Sequence, residues 1–337
     1  MKSQKVFISG VAGFLGSHVA DLLVRQGHHV VGADDLSGGN FDNVPSRVEF
    51  LEYDLRDRRK NLKALEGVDV VFHAAAMAHD GFSVFAPHLI TENLFATTSS
   101  LVSASLQQRV KRFVFCSSMS RYGNQNSALF TEDMEAKPQT PYGIAKLSCE
   151  NLIRNLCETH GMEWVVAVPH NIIGPRQKYD DPYRNVVAIM INRMLQNKSP
   201  IVYGDGEQKR CFSPIQDVLP LIPHLLFDPK AQGEVINVGP DKEFVTINEL
   251  VQMINHTLGT DYDPHYLNPR PNEVAEANCS SQKAQKLFGY KPTSQTQQTI
   301  SEMVEWIKAQ GPKPFQYNHE VEIESPQTPL TWKERIF

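Results

Sequence analysis

The first half of the chain alternates short apolar, β-branched runs with longer helical patterns. The first run is Lys5–Ser9, and five more follow: HHVVGAD, VEFLEYD, VDVVFHAAA, RFVFCSS and EWVVAVP. Their apolar residues are consecutive rather than alternating, which is typical of strands buried on both faces of a parallel sheet. Because helical segments separate these strands, the pattern predicts a doubly wound α/β domain.

Apolar periodicity predicts helices over Phe14 to Arg25, over 87–108 and over 142–160. The last of these carries an i, i+4, i+7 stripe that is expected to face a core or a partner. That stripe consists of Ala145, Cys149, Leu152, Ile153 and Leu156. Lys146 is expected at its edge, a position from which a functional group can face a cleft.

After Pro169 the loops lengthen and become rich in Pro and Gly, and the parallel rhythm weakens. Thr246 and Glu249 form a capping-box signature at the start of a helix that stops near Gly259. Gly289 ends another helix in the same way. These features predict a smaller second lobe. We assign 1–169 and 215–240 to the sheet domain, 170–214 and 241–310 to the lobe, and 311–337 to a tail without clear periodicity.

Charge and cysteine content exclude several classes of function. The chain has 337 residues with 33 basic and 38 acidic side chains, which argues against a general nucleic-acid binder. Its five cysteines are scattered without metal-ligand spacing, so we expect reduced thiols in a cytoplasmic protein and no metal. The sequence shows neither a signal peptide nor a membrane-spanning run, so no membrane partner is expected.

The segment ISGVAGFLGSH places Gly10, Gly13 and Gly16 between the first strand and the first helix. A dinucleotide site needs that arrangement, because its pyrophosphate requires a tight turn, a close backbone and helix amides. The spacing is G-x-x-G-x-x-G rather than G-x-G-x-x-G, and a glycine-rich turn without a ligand is the alternative. Asp34, with Asp35 beside it, lies at the distance expected of an acid that binds ribose hydroxyls. Such an acid repels a 2′-phosphate, so the prediction is NAD over NADP.

The segment TPYGIAKLSCE contains Tyr142 and Lys146, which share one face of a predicted helix. No other Tyr in the chain has a Lys four residues later. By themselves the two residues are either a catalytic pair or an aromatic anchor beside a solvated lysine. Their surroundings in the sequence decide between these interpretations.

The phosphate loop, DLSGGN, FHAAA, CSSMSRYG, Tyr142-x-x-x-Lys146 and GPRQ appear in that order. With these motifs the chain resembles the extended short-chain dehydrogenases/reductases, in particular the NAD-dependent UDP-glucose and UDP-N-acetylglucosamine 4-epimerases. The resemblance runs from about Lys5 to Lys308. It implies a Rossmann-type doubly wound parallel sheet with a smaller α/β substrate-binding lobe. It also implies bound NAD, a UDP-sugar substrate and a homodimer formed through helices 87–108 and 142–160.

The resemblance also assigns individual residues. The catalytic residues would be Ser118, Tyr142 and Lys146. Besides Tyr142 and Lys146, those at NAD would be Gly10, Gly13, Phe14, Leu15, Gly16, Asp34, Asp35, Leu36, Asp54, Leu55, Ala74, Ala75, Ala76 and Asn93. Those at the substrate would be Ser118, Asn171, Asn185, Tyr203, Arg210, Arg270, Glu273 and Ala277. Val168 and Cys211 replace an Arg and an Asp of the family pattern.

The chemistry fits these residue types. A tyrosine with its usual pKa of about 10 becomes a base near pH 7 only if about 4 kcal/mol favours its phenolate. A neighbouring ammonium and a positively charged nicotinamide can supply that free energy. Lys146 would also hold the nicotinamide ribose, and Ser118 would share the hydrogen bond to the reacting hydroxyl.

Two further details of the resemblance bear on the reaction. Relatives that dehydrate sugars place Asp and Glu after the catalytic Ser, whereas this chain has Met119 and Ser120. Neither can act as a carboxyl acid or base, which favours 4-epimerisation. Ala277, seven residues after Arg270, leaves room for an N-acetyl group, so UDP-GlcNAc and UDP-GalNAc are favoured, with UDP-glucose and UDP-galactose as further substrates. A dehydratase, reductase or dehydrogenase of the same family, or a non-catalytic dinucleotide sensor, remains open.

Overall fold

The computed structural model describes residues 2–125, 129–271 and 276–337. The strands in these ranges are β1 (Lys5–Ser9), β2 (His29–Asp34), β3 (Glu49–Glu52), β4 (Val70–His73), β5 (Arg112–Cys116), β6 (Leu129–Phe130), β7 (Glu163–Pro169), β8 (Ile172–Ile173), β9 (Ile201–Tyr203), β10 (Lys209–Cys211), β11 (Ser213–Pro214), β12 (Glu234–Val238), β13 (Phe244–Thr246), β14 (His265–Leu267) and β15 (Glu276–Cys279). The helices are α1 (Phe14–Arg25), α2 (Arg58–Ala64), α3 (Pro87–Gln107), α4 (Pro141–His160), α5 (Val186–Leu195), α6 (Ile215–Val218), α7 (Ile222–Phe227), α8 (Ile247–Leu258), α9 (Gln282–Phe288), α10 (Thr296–Gln310) and α11 (Leu330–Lys333).

The main sheet has seven strands in the order β12-β7-β5-β4-β1-β2-β3, and all its neighbours pair in parallel. The chain builds outward from β1 in one direction through β3, then returns to β4 and builds in the other direction. The order therefore reverses beside β1, and ligands of open α/β sheets bind at the carboxyl ends of the strands at such a point.

Apolar side chains project from both faces of this sheet, as expected for strands whose apolar residues are consecutive. Phe7 packs in one buried cluster with Leu101 of α3 and Ile153 of α4. Ile8, its neighbour in sequence, packs in another with Val19 of α1 and Leu225 of α7. The predicted Rossmann-type, doubly wound parallel sheet is confirmed.

The second lobe has its own core, in which α5, α8 and α10 pack together. The predicted capping box opens α8, because Thr246 Oγ1 accepts the Glu249 amide at 3.0 Å and Glu249 Oε2 accepts the Thr246 amide at 2.7 Å. Gly259 and Gly289 end α8 and α9 in the left-handed conformation, as predicted.

The C-terminal tail, residues 311–337, packs on its own chain although its sequence shows no periodicity. The Glu322 carboxylate accepts the His88 and Leu89 amides at 2.9 and 2.8 Å, which caps the first turn of α3. Trp332 is buried and its indole donates to Pro182 O at 3.1 Å. These tertiary contacts hold the tail against both α3 of the sheet domain and the lobe.

Within the described residues, no helix combines the length and the apolar character needed to cross a membrane.

Candidate functional site

Two cavities meet beyond the carboxyl ends of the sheet strands. The first, of about 360 Å³, follows the phosphate loop and ends at Tyr142 and Lys146. The second, of about 390 Å³, lies between the sheet domain, the lobe and the tail. Asn171 and Asn185 line both cavities, so a molecule in one can touch a molecule in the other.

The phosphate loop leaves no room for side chains at two of its glycines. A Cβ on Gly16 would lie 2.1 Å from Gly10 O, and one on Gly10 would lie 2.8 Å from Ala75 Cα. Gly10 also has a φ of 73°. Gly13 stands at the N-cap of α1 and has no side chain that could cap the helix. Phe14, Leu15 and Gly16, in the first turn of α1, line the cavity. This glycine cradle at a helix N-terminus fits a pyrophosphate.

Asp34 ends β2 with a buried carboxylate on the cavity wall. Its oxygens accept the Ala12 amide at 3.0 Å and the Leu36 amide at 2.8 Å. Burial raises the pKa of Asp34, and the two amides act against that shift. Asp35 also lines the cavity, but its Oδ1 accepts from Ser37 in its own turn. Leu36 does not line the cavity; it turns the chain at a φ of 62°.

The other predicted cofactor residues surround the same cavity. Its wall includes Asp54, Leu55, Ala74, Ala75, Ala76 and Asn93. One cation near this end did not enter the sequence prediction. Arg56 binds the Asp54 carboxylate at 2.7 Å and approaches Glu92 at 3.7 Å. Because these acids engage it, Arg56 does not alter the prediction of NAD over NADP.

Replacing Asp34 by Ala is expected to weaken NAD binding about tenfold, since a hydrogen bond to a charged group contributes about 1.5–3 kcal/mol. The variant should also narrow the preference for NAD over NADP, because the anion opposing a 2′-phosphate is removed. Titration of NAD and of NADP into apo-protein measures both affinities. Asp35→Ala is the matched control, with a smaller expected effect. Tighter binding of NADP by the wild type would contradict the assignment.

The predicted catalytic residues come together at the junction. Tyr142 lies in the first turn of α4, whose N-cap Thr140 accepts the Gly143 amide at 3.1 Å. Ser118 follows β5 and hydrogen-bonds to Tyr142. Lys146 Nζ donates to Cys116 O at 2.7 Å and lies 5.7 Å from the centre of the Tyr142 ring. The sequence placed Lys146 at the edge of the helix stripe, where it could face a cleft; it is 2% exposed and lies on the wall of the first cavity.

Burial raises the pKa of Tyr142, and the negative charge of Asp80 raises it further; the hydrogen bond from Ser118 acts in the opposite direction. Burial also lowers the pKa of Lys146. The protein alone therefore holds Tyr142 as a neutral phenol. A positive charge brought into the first cavity would stabilise the phenolate.

Most of the predicted substrate residues line the second cavity, whereas Ser118 lines the first. Tyr203, Arg210 and Arg270 form part of its wall, and the Arg270 guanidinium lies 5.0 Å from the centre of the Tyr203 ring. Ala277 pairs with Arg210 in the register of β15 and β10. Glu273 lies outside the described residues.

Several wall residues were missed by the sequence prediction. Asp80 and Arg184 line both cavities, and Arg184 is paired with Asp181 at 3.2 Å. Thr331 and Trp332 of the tail line the second. No motif marks these residues, because the fold alone brings them to the junction.

The chain matches the model of the NAD dependent epimerase/dehydratase family over residues 6–239. It belongs to this family. The family is NAD-dependent, so the predicted cofactor and the family resemblance are both confirmed.

Individual relatives cover most of the chain. A putative UDP-glucose 4-epimerase of Methanocaldococcus jannaschii is 32% identical over 90% of this chain and 98% of its own. The UDP-N-acetylglucosamine 4-epimerase of Methanobrevibacter ruminantium, solved with UDP-N-acetylmuramic acid, is 30% identical with a TM-score of 0.83, covering 92% of this chain and 100% of its own. The UDP-glucuronic acid 4-epimerase of Bacillus cereus, solved with UDP-glucuronic acid and NAD, is 28% identical with a TM-score of 0.84, covering 91% and 100%.

Proposed function

We propose that the protein interconverts UDP-hexoses by NAD-dependent epimerisation at C4. The observation that carries this proposal is the junction itself. Ser118, Tyr142 and Lys146 lie where a dinucleotide cavity opens into one lined by Tyr203, Arg210 and Arg270. The 4-epimerase activity of the relatives named above supports the same reaction.

In this proposal each residue has a defined task. NAD, when bound, supplies the hydride acceptor and a positive charge. Tyr142 takes the proton of the sugar 4-hydroxyl and later returns it, while Ser118 hydrogen-bonds to the same oxygen. Lys146 holds the cofactor ribose and stabilises the phenolate. Arg210 and Arg270 bind the diphosphate, for which the planar guanidinium is suited.

The residues after Ser118 favour epimerisation over dehydration. Met119 has no ionisable group and lies against Asn171, its sulfur 3.9 Å from Asn171 Nδ2. Ser120 is also no carboxyl acid, although it hydrogen-bonds to Asp80. The carboxyl group of Asp80, which comes from another loop, thus lies near this position. The experiment must therefore be able to detect a dehydrated product.

Proton NMR of purified protein with UDP-GlcNAc, and separately with UDP-glucose, tests the proposal without added cofactor. Appearance of the 4-epimer supports it and ranks the substrates. If neither sugar nucleotide changes, the incubation is repeated with added NAD. A 4-keto-6-deoxy product, or a net change in cofactor absorbance, would replace epimerisation by dehydration or by a reductase or dehydrogenase reaction.

We further propose that N-acetylated sugars are accepted, on the family pattern at Ala277. Ala277→Tyr is expected to lower kcat/KM for UDP-GlcNAc at least about tenfold, because a bulky side chain in the sugar pocket leaves an N-acetyl group no room. Activity with UDP-glucose should change less. The ratio of the two kcat/KM values is the measurement. An unchanged ratio would show that position 277 does not set sugar size.

We also propose a homodimer formed through α3 and α4, which pack against each other. Phe95 of α3 and Ile144 of α4 are exposed, at 43% and 51%, so both helices offer an apolar side chain to a partner. Light scattering that gives a monomer mass would reject the homodimer.

The five cysteines are unpaired and buried, which supports a cytoplasmic location.

A further inference from the structure

The loop between β4 and α3 brings a carboxyl group to the junction of the two cavities. Asp80 lines both of them. Its Oδ1 accepts from Thr140 Oγ1 at 2.5 Å, and Thr140 Oγ1 accepts the Gly143 amide at 3.1 Å. Because Thr140 caps α4, this chain of hydrogen bonds joins Asp80 to the helix turn that carries Tyr142.

A second connection runs through the backbone. Ser83 Oγ donates to Asp80 O at 2.6 Å and accepts the Tyr142 amide at 3.1 Å. Both the side chain and the carbonyl of Asp80 are thus tied to the first turn of α4. Two connections hold the Asp80 loop to the helix turn that carries Tyr142 more firmly than one would.

We propose that Asp80 is a positioning residue for Tyr142: it holds the first turn of α4 against the loop and places a negative charge beside the phenol. This proposal rests on the proposed function, in which Tyr142 is the base. It goes beyond that function because it gives Asp80 control of the pH range in which Tyr142 works.

The direction of the effect follows from the charges. Burial raises the pKa of Asp80, whereas hydrogen bonds from Thr140 and Ser120 and the charge of Arg270 lower it. The usual pKa of a carboxyl group lies far below that of a phenol, so Asp80 enters the proposal as an anion when Tyr142 titrates. An anion beside a phenol favours the neutral phenol and raises its pKa.

Other groups also face Tyr142. Arg184 lowers its pKa, Cys116 raises it, Ser118 donates a hydrogen bond, and the Lys146 ammonium lies beside the ring. After burial, the negative charge of Asp80 has the largest effect in raising the pKa of Tyr142. Removing its charge is therefore expected to move the acid limb of activity toward lower pH.

Asp80→Asn separates charge from position, because the amide oxygen can still accept from Thr140. Its kcat/KM profile is expected to shift its acid limb by at least about half a pH unit to lower pH, with kcat on the alkaline plateau within about threefold of wild type. Thr140→Val keeps the charge but removes the side-chain connection. Thr140→Val should lower kcat several-fold and leave the acid limb of the kcat/KM profile at the wild-type pH. Asp133→Asn, which changes an exposed acid, should alter neither kcat nor the acid limb.

An unmoved acid limb in Asp80→Asn would overturn the proposal, and so would an equal shift in Thr140→Val. If no sugar nucleotide is turned over, the proposed function fails, but Asp80 can still be tested. Tyrosine labelled with ¹³C at Cζ, in protein loaded with NAD, reports each phenol, and Tyr142→Phe assigns the signal. A Tyr142 signal that titrates at lower pH in Asp80→Asn supports the charge effect; one that titrates at the wild-type pH overturns it.

Discussion

Replacing Tyr142 by Phe is expected to lower kcat for the proposed epimerisation about 10³-fold, within the range that a positioned general base contributes. Phe keeps the ring that Lys146 faces but lacks the hydroxyl that bonds to Ser118. Burial of the ring means that no solvent group can replace that hydroxyl easily. The measurement is initial-rate NMR with the preferred sugar nucleotide.

The binding constants show whether this loss is chemical. NAD and UDP-sugar dissociation constants of Tyr142→Phe should stay within about threefold of wild type, because the groups proposed to bind the diphosphates are unchanged. Tyr122→Phe is the matched control. Tyr122 is also buried and donates to Asn237 Oδ1 at 2.8 Å, but it lies outside the wall of the first cavity. The control should lose stability rather than kcat. A Tyr142→Phe protein of wild-type activity would favour the non-catalytic sensor.

Ending the chain after Gln327 is expected to weaken UDP-sugar binding at least about tenfold while NAD binding changes little. The deleted segment supplies part of the wall of the second cavity and none of the first. Thr331 Oγ1 shares a 2.5 Å hydrogen bond with Tyr203 OH, and Trp332 packs with Phe82, Phe85 and Tyr183. Removing a buried Trp side chain costs about 3–5 kcal/mol, so the wall should collapse or open.

Calorimetric titration with UDP and with NAD separates the two cavities. Trp332→Ala should reproduce most of the truncation effect. Lys333→Ala, on the same short helix, should not, because its side chain is exposed and pairs with Glu324 at 2.8 Å. Unchanged UDP affinity in the truncated protein would show that the tail only covers the lobe. Loss of NAD binding as well would show a general loss of folding.

Local patterns predicted the sheet domain well. The sequence placed β1 at Lys5–Ser9 and α1 at Phe14–Arg25, and the structure gives the same bounds. Both elements end at glycine-rich or polar turns and bury a continuous apolar face, so neighbouring residues determine them. The glycines of the phosphate loop could also be recognised, because they stand directly between the first strand and the first helix.

The junction was predicted only in part, because distant segments build it. Tyr142 and Lys146 lie four residues apart and could be recognised together. Asp80 comes from a loop and Trp332 from a short helix of the tail; neither segment shows a sequence period, and only packing brings them to the cavities. The 2% exposure of Lys146 could not be inferred from its place on a helix stripe, since a stripe does not show how closely the rest of the protein covers it.

The placement of the tail also sets an order of events during synthesis. The strands and the phosphate loop of the first cavity leave the ribosome well before Thr331 and Trp332, and N-terminal units of a chain fold first. During synthesis the second cavity therefore lacks one wall while the strands beside the first can already form. Its surface is complete only once α11 has docked.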